Sequence, residues 1–274
     1  MSHHSDPLNS AELCDRITGV SKPVLVWLGP AAGEGTERIE LSGPVARRWL
    51  SKTDNFMASE FPFGGESFCV TLPAHWRTPF WFIVPWLRGM RYEGCVSEGA
   101  NAAQAASVDL VISDDVAFLE EVADEGGPDA LVAQTQNSLS LAWDGELPDA
   151  LLDGTADVMS YGDWVEDPDT APDGCVLMTD DLVIEDLRGT SLVADLVALD
   201  PQSGTRVGPA VLSSDTATMS SGLAGKRVLV RTSDPALFSA QLVQLWMADA
   251  CVVWAPAADT APELIAQESC DLAL

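Results

Sequence analysis

The sequence predicts an α/β protein with two tandem βαβ-type subdomains, each a parallel sheet flanked by helices. Its 274 residues and 47% apolar content provide for a large buried core. Short apolar runs alternate with helical stretches, which is typical of parallel sheets that are covered on both faces. A strand–helix–strand–helix–strand pattern occurs twice, and the copy at 67–111 is repeated at 227–273.

The two copies agree in particular residues as well as in the order of their elements. A tryptophan follows the first strand at the same distance in each copy, at Trp86 and Trp246. Each copy ends in a Ser-x-Asp-Leu motif, at 107–110 and 269–272. Chance similarity is the alternative explanation, because any two βαβ units share this order of elements.

The repeat predicts how the chain is divided. We expect 68–72 and 228–232 to be equivalent central parallel strands of their sheets. An exposed connection rich in acidic residues, with Gly and Pro, occupies 161–174 and predicts a domain boundary. The first domain, 1–160, then holds a hairpin and the first α/β subdomain, and the second domain, 161–274, holds the second subdomain.

The elements before and between the copies follow from local signals. Residues 24–28 and 36–41 are β-rich and flank a Gly-rich connection, which predicts a β-hairpin. Ser42 and Pro44 suit the N-cap and first turn of a helix, and apolar residues at helical spacing follow them. A second helix is predicted at 116–124.

The charge pattern limits the classes of partner. The formal net charge is −28, and no Lys or Arg occurs between Tyr92 and Leu187. Nucleic acids and anionic membranes require basic surface, so both are excluded as partners. A small molecule or a protein is left as the possible class of partner. The acidic residues form either a solvated face or a docking surface for a basic partner, and both interpretations stay open.

The cysteines and the N-terminus predict a cytoplasmic protein. The six cysteines form no C-x-x-C pair, and several lie in apolar runs, among them Cys69 and Cys251. We expect reduced thiols in the core, rather than disulfides, a metal site or a nucleophile. The first residues show no signal peptide, and the most apolar stretch, 79–87, is far shorter than the roughly 20 residues of a membrane span.

The stretch 38–94 carries a succession of motifs. A hairpin leads into a helix with Trp49 and Asn55, then a Gly-Glu-x-Phe strand at 65–68, Leu-Pro at 72–73, and an apolar helix that ends at a glycine. A second set consists of Gly-Lys-Arg-Val-Leu-Val at 225–230 and Glu-Leu-Ile-Ala-Gln-Glu at 263–268. Together these motifs resemble the N-terminal domain of the adenylate-forming superfamily, which includes acyl-CoA synthetases, luciferases and adenylation domains.

The resemblance implies a truncated version of that N-terminal domain. The segment 73–77 is similar to that of a small actinobacterial family that is itself distantly similar to AMP-binding enzymes. The chain ends at Leu274, so we expect the family's third subdomain and its mobile C-terminal domain, with the catalytic lysine, to be missing. These are motifs of the scaffold, and they indicate fold more strongly than activity.

The family's phosphate-binding loop has no good counterpart. The family has a Ser/Thr/Gly-rich loop ending in Lys, just before a helix start, and 174–182 is comparable to that helix start. The preceding residues, 163–173, contain five acids and no base. Like charges at about 4 Å repel by several kcal/mol at an intermediate dielectric, so this segment is not expected to bind a triphosphate.

Two further segments imitate family motifs. The Ser- and Gly-containing run 220–226 ends in Lys but directly precedes a strand, so it is interpreted as helix end, turn and strand entry. Tyr-Gly-Asp-Trp at 161–164 lacks the Thr-Glu pair of the family's aromatic-Gly-x-Thr-Glu motif and is interpreted as coincidence. We therefore expect no catalytic residues and no cofactor, and the sequence favours a protein without enzyme activity.

The candidate ligand-binding residues are His75, Trp76 and Arg77. They follow the first strand of the first copy, at the carboxyl end of a parallel strand, where ligands bind in open α/β sheets. In the alternative interpretation His75 caps a helix and Trp76 packs in the core. The other histidines are His3 and His4, so no metal site is predicted.

Three functions are compatible with the sequence. The first is a non-catalytic relative of the AMP-dependent synthetases that acts as a binding or interaction module. The second is a diverged adenylate-forming ligase, or a half-ligase that acts on a carboxylate together with a separate chain. The third is a structural subunit.

Overall fold

The fold is described from a computed structural model. The described residues are 8–19, 22–31, 35–61, 65–94, 101–166, 177–179, 182–184, 193, 195–199, 206–209, 222–257 and 260–274. Their helices are α1 (Ser10–Thr18), α2 (Gly43–Glu60), α3 (Phe80–Leu87), α4 (Ala102–Ala105), α5 (Val116–Asp124), α6 (Ala156–Ser160), α7 (Pro235–Met247) and α8 (Pro262–Gln267). Their strands are β1 (Leu25–Pro30), β2 (Thr36–Leu41), β3 (Ser67–Val70), β4 (Arg91–Tyr92), β5 (Leu110–Ser113), β6 (Ala130–Ala133), β7 (Leu151–Asp153), β8 (Leu177–Thr179), β9 (Leu182–Ile184), β10 (Val197–Leu199), β11 (Arg206–Pro209), β12 (Arg227–Val230), β13 (Cys251–Trp254) and β14 (Leu272–Ala273).

The chain folds into two compact units that interleave in sequence. The first comprises Met1–Glu12, Arg48–Pro73 and Phe80–Asp186, and the second comprises Leu13–Arg47, Ala74–Pro79 and Leu187–Leu274. This division differs from a single boundary at 161–174, which stays a prediction.

The first unit contains a five-stranded sheet in the order β4-β3-β5-β6-β7, and every pair in it is parallel. The strands β3, β5 and β6 are buried along their whole length. Helix α3 is buried at every residue, which explains why its sequence is apolar on all sides. This sheet agrees with the predicted parallel architecture.

The second unit contains a seven-stranded mixed sheet in the order β11-β10-β14-β12-β13-β1-β2. Its four middle strands are parallel, and antiparallel strands lie at both ends. The predicted hairpin forms the β1–β2 edge, and the predicted helices form α2 and α5. The predicted parallel sheet is therefore correct for the centre of this sheet, and its edges are antiparallel.

One segment differs from its predicted structure. Within 174–182, which was compared with a helix start, β8 covers 177–179, and it pairs antiparallel with β9. The two runs, Leu-Met-Thr and Leu-Val-Ile, are short, apolar or β-branched, and separated by two aspartates. Such residues favour a hairpin over a helix start, so local β-propensity decides the outcome here.

One of the described cysteines departs from the expected reduced thiols. Cys14, Cys251 and Cys270 are buried thiols outside any disulfide, as expected. Cys69, in the middle of β3, is disulfide-bonded. An apolar neighbourhood therefore did not identify its redox state. None of the described helices is long and apolar enough to cross a membrane.

The first strand has the same place in both copies of the repeat. In the first unit β3 lies between β4 and β5, and in the second unit β12 lies between β13 and β14, with all of these pairs parallel. The aspartates of the Ser-x-Asp-Leu motifs have the same contact. Asp109 Oδ2 accepts from the amide of Ser67 at 2.9 Å, and Asp271 Oδ2 accepts from the amide of Arg227 at 2.8 Å. Each carboxylate thus fixes the beginning of the central strand.

The helix that follows the central strand ends in the same way in both copies. Gly89 N–H donates to Trp86 O and Met90 N–H to Pro85 O, both at 2.9 Å. The equivalent bonds in the second unit join Asp249 to Trp246 at 3.0 Å and Ala250 to Leu245 at 2.9 Å. This is a Schellman motif, with a left-handed residue at Gly89 (φ 82°) and Asp249 (φ 57°). The matched tryptophans therefore occupy the same position of the motif.

We predict that Gly89→Ala lowers the free energy of unfolding by about 1–2 kcal/mol, because a Cβ is strained at this positive φ. Gly19→Ala is the matched control, since Gly19 has no positive φ and its added Cβ would meet only Arg16 O, at 3.7 Å. Urea unfolding of the two variants measures the difference. Equal stability of the two variants would show that the left-handed position is not needed.

Candidate binding site

The three residues predicted to bind ligand lie together and are buried. His75 is 3% exposed, Trp76 5% and Arg77 3%, and all three belong to the second unit. The indole N–H of Trp27 donates to Ala74 O at 3.3 Å, and the rings of Trp27 and His75 meet edge to face with centroids 4.8 Å apart. The sequence therefore located a packed turn, and a role for these residues in ligand binding stays a prediction.

His75 caps a turn that precedes α3. Its Nδ1 accepts from the amide of Arg77 at 3.4 Å, and its carbonyl accepts from Thr78 N–H at 3.0 Å. The guanidinium of Arg77 lies 4.7 Å from the ring centroid of Trp76. Burial, together with the nearby charge of Arg77, lowers the pKa of His75 to about 3. The imidazole is therefore neutral at neutral pH.

The Tyr-Gly-Asp-Trp segment at 161–164 is held by two polar side chains of α2. Lys52 Nζ donates to the carbonyls of Met159 and Tyr161. The amide group of Asn55 donates to the carbonyls of Gly162, at 3.1 Å, and Trp164, at 2.6 Å. These contacts give the segment a structural role, and both α2 residues are buried because they satisfy backbone groups.

A second group of polar side chains lies at the carboxyl edge of the five-stranded sheet. Thr71 follows β3, Ser113 ends β5, Gln134 follows β6 and Thr155 follows β7. The four strands are adjacent and parallel, so their carboxyl ends meet at one edge. This is the edge at which ligands bind in open α/β sheets. We call these four residues, with Asp114 and Gln136, the carboxyl-edge cluster.

The buried part of the cluster contains two hydrogen-bonded groups of side chains. Trp81 Nε1 donates to Gln134 Oε1 at 2.8 Å, and Gln134 Nε2 donates to Thr155 Oγ1 at 2.9 Å. Thr71 Oγ1 donates to Ser113 Oγ at 2.8 Å. Gln134 is fully buried, and Ser113 and Thr155 are 1% exposed. These bonds fix the orientation of each side chain at the edge.

Gly154 allows the network to form. A Cβ at this position would lie 2.9 Å from both Gln134 Oε1 and Val132 Cγ1. Contacts this short do not occur, so any larger residue would displace the Gln134 side chain. The glycine is thus explained by the close approach of β7 to Gln134.

Asp114 and Gln136 form the partly exposed part of the cluster. Both are half-buried, and they follow the adjacent strands β5 and β6. Burial raises the pKa of Asp114, and the charge of Asp115 adds to the increase. A backbone hydrogen bond lowers this pKa but does not cancel the increase. Gln136 Oε1 is buried and has no hydrogen-bond partner among the described residues. The two side chains therefore offer acceptor oxygens.

Sequence reasoning did not identify the carboxyl-edge cluster. Its signal is present, because polar residues directly follow each of several apolar strands. That signal becomes informative only once the order β3-β5-β6-β7 is known, since strand order decides which loop residues are neighbours. Within the described part of the chain, no group of three or more His, Cys, Asp or Glu is arranged to hold a metal ion.

Comparison with known proteins identifies the fold. No family model matches the chain, and no curated protein matches it. Among solved structures, acetoacetyl-CoA synthetase from Streptomyces lividans is similar with a TM-score of 0.58 and 15% identity, over 94% of this chain and 40% of that chain. An acyl-CoA synthetase from Brucella canis is similar with a TM-score of 0.58 and 14% identity, over 90% and 42% of the two chains.

A third similar structure is the amide bond synthetase McbA from Marinactinospora thermotolerans. Its TM-score is 0.52 with 12% identity, over 89% of this chain and 43% of that chain. The three solved structures confirm the predicted likeness to the fold of adenylate-forming enzymes. This chain spans about two fifths of the length of each of them.

We predict that His75 stays neutral in the folded protein across the physiological pH range. Its folded pKa, about 3, lies below its ordinary value of 6.5, so its contribution to stability is complete above pH 6.5 and is lost as the pH falls towards 3. The stability advantage of wild type over His75→Gln should shrink by up to about 1.4 kcal/mol per pH unit below 6.5.

Urea unfolding at a series of pH values measures this advantage. Proton NMR gives a direct control, because the Cε1 proton that disappears in His75→Gln should not titrate near neutral pH. A titration midpoint close to the ordinary value would contradict the prediction and would mean that the imidazole is accessible to solvent.

Proposed function

We propose that this protein is a non-catalytic relative of the adenylate-forming synthetases that acts as a binding module for a small molecule. We place the ligand at the carboxyl-edge cluster. The observation that supports this most is the position of the cluster, at the carboxyl ends of four adjacent parallel strands, with a buried, hydrogen-bonded floor and a half-buried rim. Ligand sites in open α/β sheets have this position and this mixture of burial.

The chemistry of the rim favours a ligand that donates hydrogen bonds. Gln136 Oε1 and the carboxyl group of Asp114 are acceptors, and a buried acceptor without a partner is costly by about 1–3 kcal/mol. A ligand amine, amide or hydroxyl group would remove that cost once the Gln136 side chain turns its buried Oε1 towards the ligand. No Lys or Arg occurs from 93 to 187, the part of the sequence that supplies the ends of β5, β6 and β7. We therefore infer a neutral or cationic ligand.

The acidic residues of this part of the sequence also oppose the binding of a nucleoside triphosphate. The segment 163–173 contains five acidic residues and no base, and Asp163 pairs with Lys52 at 3.0 Å and with Arg48 at 3.4 Å. These two cations thus already share one carboxylate of the protein, Asp163. Adenylation requires cations that are available for the departing pyrophosphate. This distribution of charge supports binding without catalysis.

The alternative is a diverged ligase, or a half-ligase that acts on a carboxylate with a separate partner chain. The similarity to three synthetases, over about two fifths of each, favours this candidate. An ATP–pyrophosphate exchange assay with a panel of carboxylates separates the two functions. Sustained exchange would support the ligase, and no exchange is expected for a binding module.

We predict that neutral or cationic small molecules raise the melting temperature, whereas ATP with Mg²⁺ does not. A ligand at about 100 times its dissociation constant adds roughly 2.7 kcal/mol to stability, which a thermal melt detects. The panel should contain amines, amides and polyols beside carboxylates and phosphates. Gln136→Ala should reduce the shift because it removes an acceptor of the rim. Asp114→Asn should reduce it because an amide with a single acceptor oxygen replaces the carboxyl group.

Asp129→Asn is the matched control, since Asp129 is exposed and lies at the opposite end of the sheet, before β6. It should leave the shift unchanged. Stabilisation by ATP with Mg²⁺, or shifts that are the same in all three variants, would contradict the proposed site.

A further inference from the structure

Two leucines of the first unit project into solvent from one short loop. Leu139 is 79% exposed and Leu141 82%, the highest values among the large hydrophobic residues that the structure describes. They lie between β6 and β7, in residues 137–143, which we call the docking loop. Ala142, beside them, is also exposed. Single exposed leucines are common, but two leucines and an alanine exposed within four residues of one loop place much apolar area in water.

The loop is held at both ends. The amide of Leu139 donates to Asn137 Oδ1 at 3.3 Å, and the amide of Ser140 donates to Asn137 O at 3.1 Å. On the other side, the amide of Trp143 donates to Asp153 Oδ2 at 2.7 Å. An Asx turn and a tie to β7 thus fix the backbone on either side of the two leucines.

Other apolar residues in the same part of the chain are partly buried. Trp143 and Leu147 are partly buried and pack against the core cluster of the first unit. The fold therefore sorts its apolar residues here, with Trp143 turned inward and the two leucines turned outward. Because Leu139 and Leu141 are exposed to water, their apolar area contributes nothing to the stability of the folded protein.

The surroundings of the leucines are acidic. Asp144, Glu146 and Asp149 are all exposed and follow the docking loop closely. No base occurs from 93 to 187, and the net charge of the whole chain is −28. Two copies of such a chain would repel each other, whereas a basic surface would be attracted over a Debye length of about 8 Å at physiological salt.

We propose that the docking loop binds a basic protein, whose apolar pocket receives Leu139 and Leu141 and whose Lys or Arg side chains face the acidic residues. The loop and the carboxyl-edge cluster share no residue, so this inference does not depend on the ligand proposed above. Charge complementarity guides the encounter, and the buried leucines supply the affinity, as in other interfaces with an apolar centre and a polar rim.

The test uses a defined probe, a labelled amphipathic helical peptide with leucines on one face and lysines on the other. Fluorescence polarisation at physiological salt compares wild type with the double variant Leu139→Ser/Leu141→Ser. We expect the double variant to bind at least about tenfold more weakly, since the apolar area of two leucine side chains is no longer removed from water on binding. Val45→Ser, which changes another exposed apolar residue, is expected to bind like wild type.

A peptide in which serine replaces every leucine measures the contribution of charge alone. It should bind wild type and the double variant equally, and more weakly than the leucine peptide binds wild type. All variants should melt at the wild-type temperature, because the leucines are exposed.

Three results would overturn the proposal. The first is an equal affinity of the leucine peptide for wild type and the double variant. The second is binding to neutral phosphatidylcholine vesicles that the double variant loses, which would assign the loop to a membrane. The third is a dimer mass that the double variant loses, which would assign it to a second copy of this chain.

Discussion

The structure of the first unit depends on one constraint, the parallel direction of all five strands of its sheet. Parallel strands bring every carboxyl end to the same edge, and the polar residues that follow them become neighbours there. Because these side chains are buried, each needs a hydrogen-bond partner. The bonds from Trp81 to Gln134 and from Gln134 to Thr155 provide partners, and Gly154 provides the space. The candidate site is thus a consequence of sheet topology.

The sequence predicted the fold well where local and global signals agree. The repeated tryptophans and Ser-x-Asp-Leu motifs correspond to repeated structural features. Trp86 and Trp246 occupy the same position in two equivalent Schellman motifs, and the aspartate of each Ser-x-Asp-Leu motif accepts a hydrogen bond from the amide that begins a central strand. The sequence failed at 174–182, where similarity to a family motif outweighed the β-propensity of Leu177–Thr179. The antiparallel strands β10 and β11, at the edge of the second sheet opposite the predicted hairpin, also escaped prediction, since strand direction at an edge leaves no periodic signal.

The candidate site was less predictable than the fold. His75, Trp76 and Arg77 were selected because they follow a strand, but they pack in the second unit and are nearly inaccessible to solvent. The residues of the carboxyl-edge cluster follow different strands and are far apart in the chain, from Thr71 to Thr155. Only the strand order brings them together. The base-free stretch from 93 to 187 supplies most of the cluster and all of the docking loop.

The central claim is that a small molecule binds the carboxyl-edge cluster of a protein that does not bind nucleotide. Amide chemical-shift changes during titration with a hit from the ligand panel test this directly. The account predicts that the largest changes occur at Thr71, Asp114 and Gln136 and at the buried network below them, and that ATP with Mg²⁺ causes no saturable change. Changes confined to other residues, or a saturable response to ATP with Mg²⁺, would contradict it.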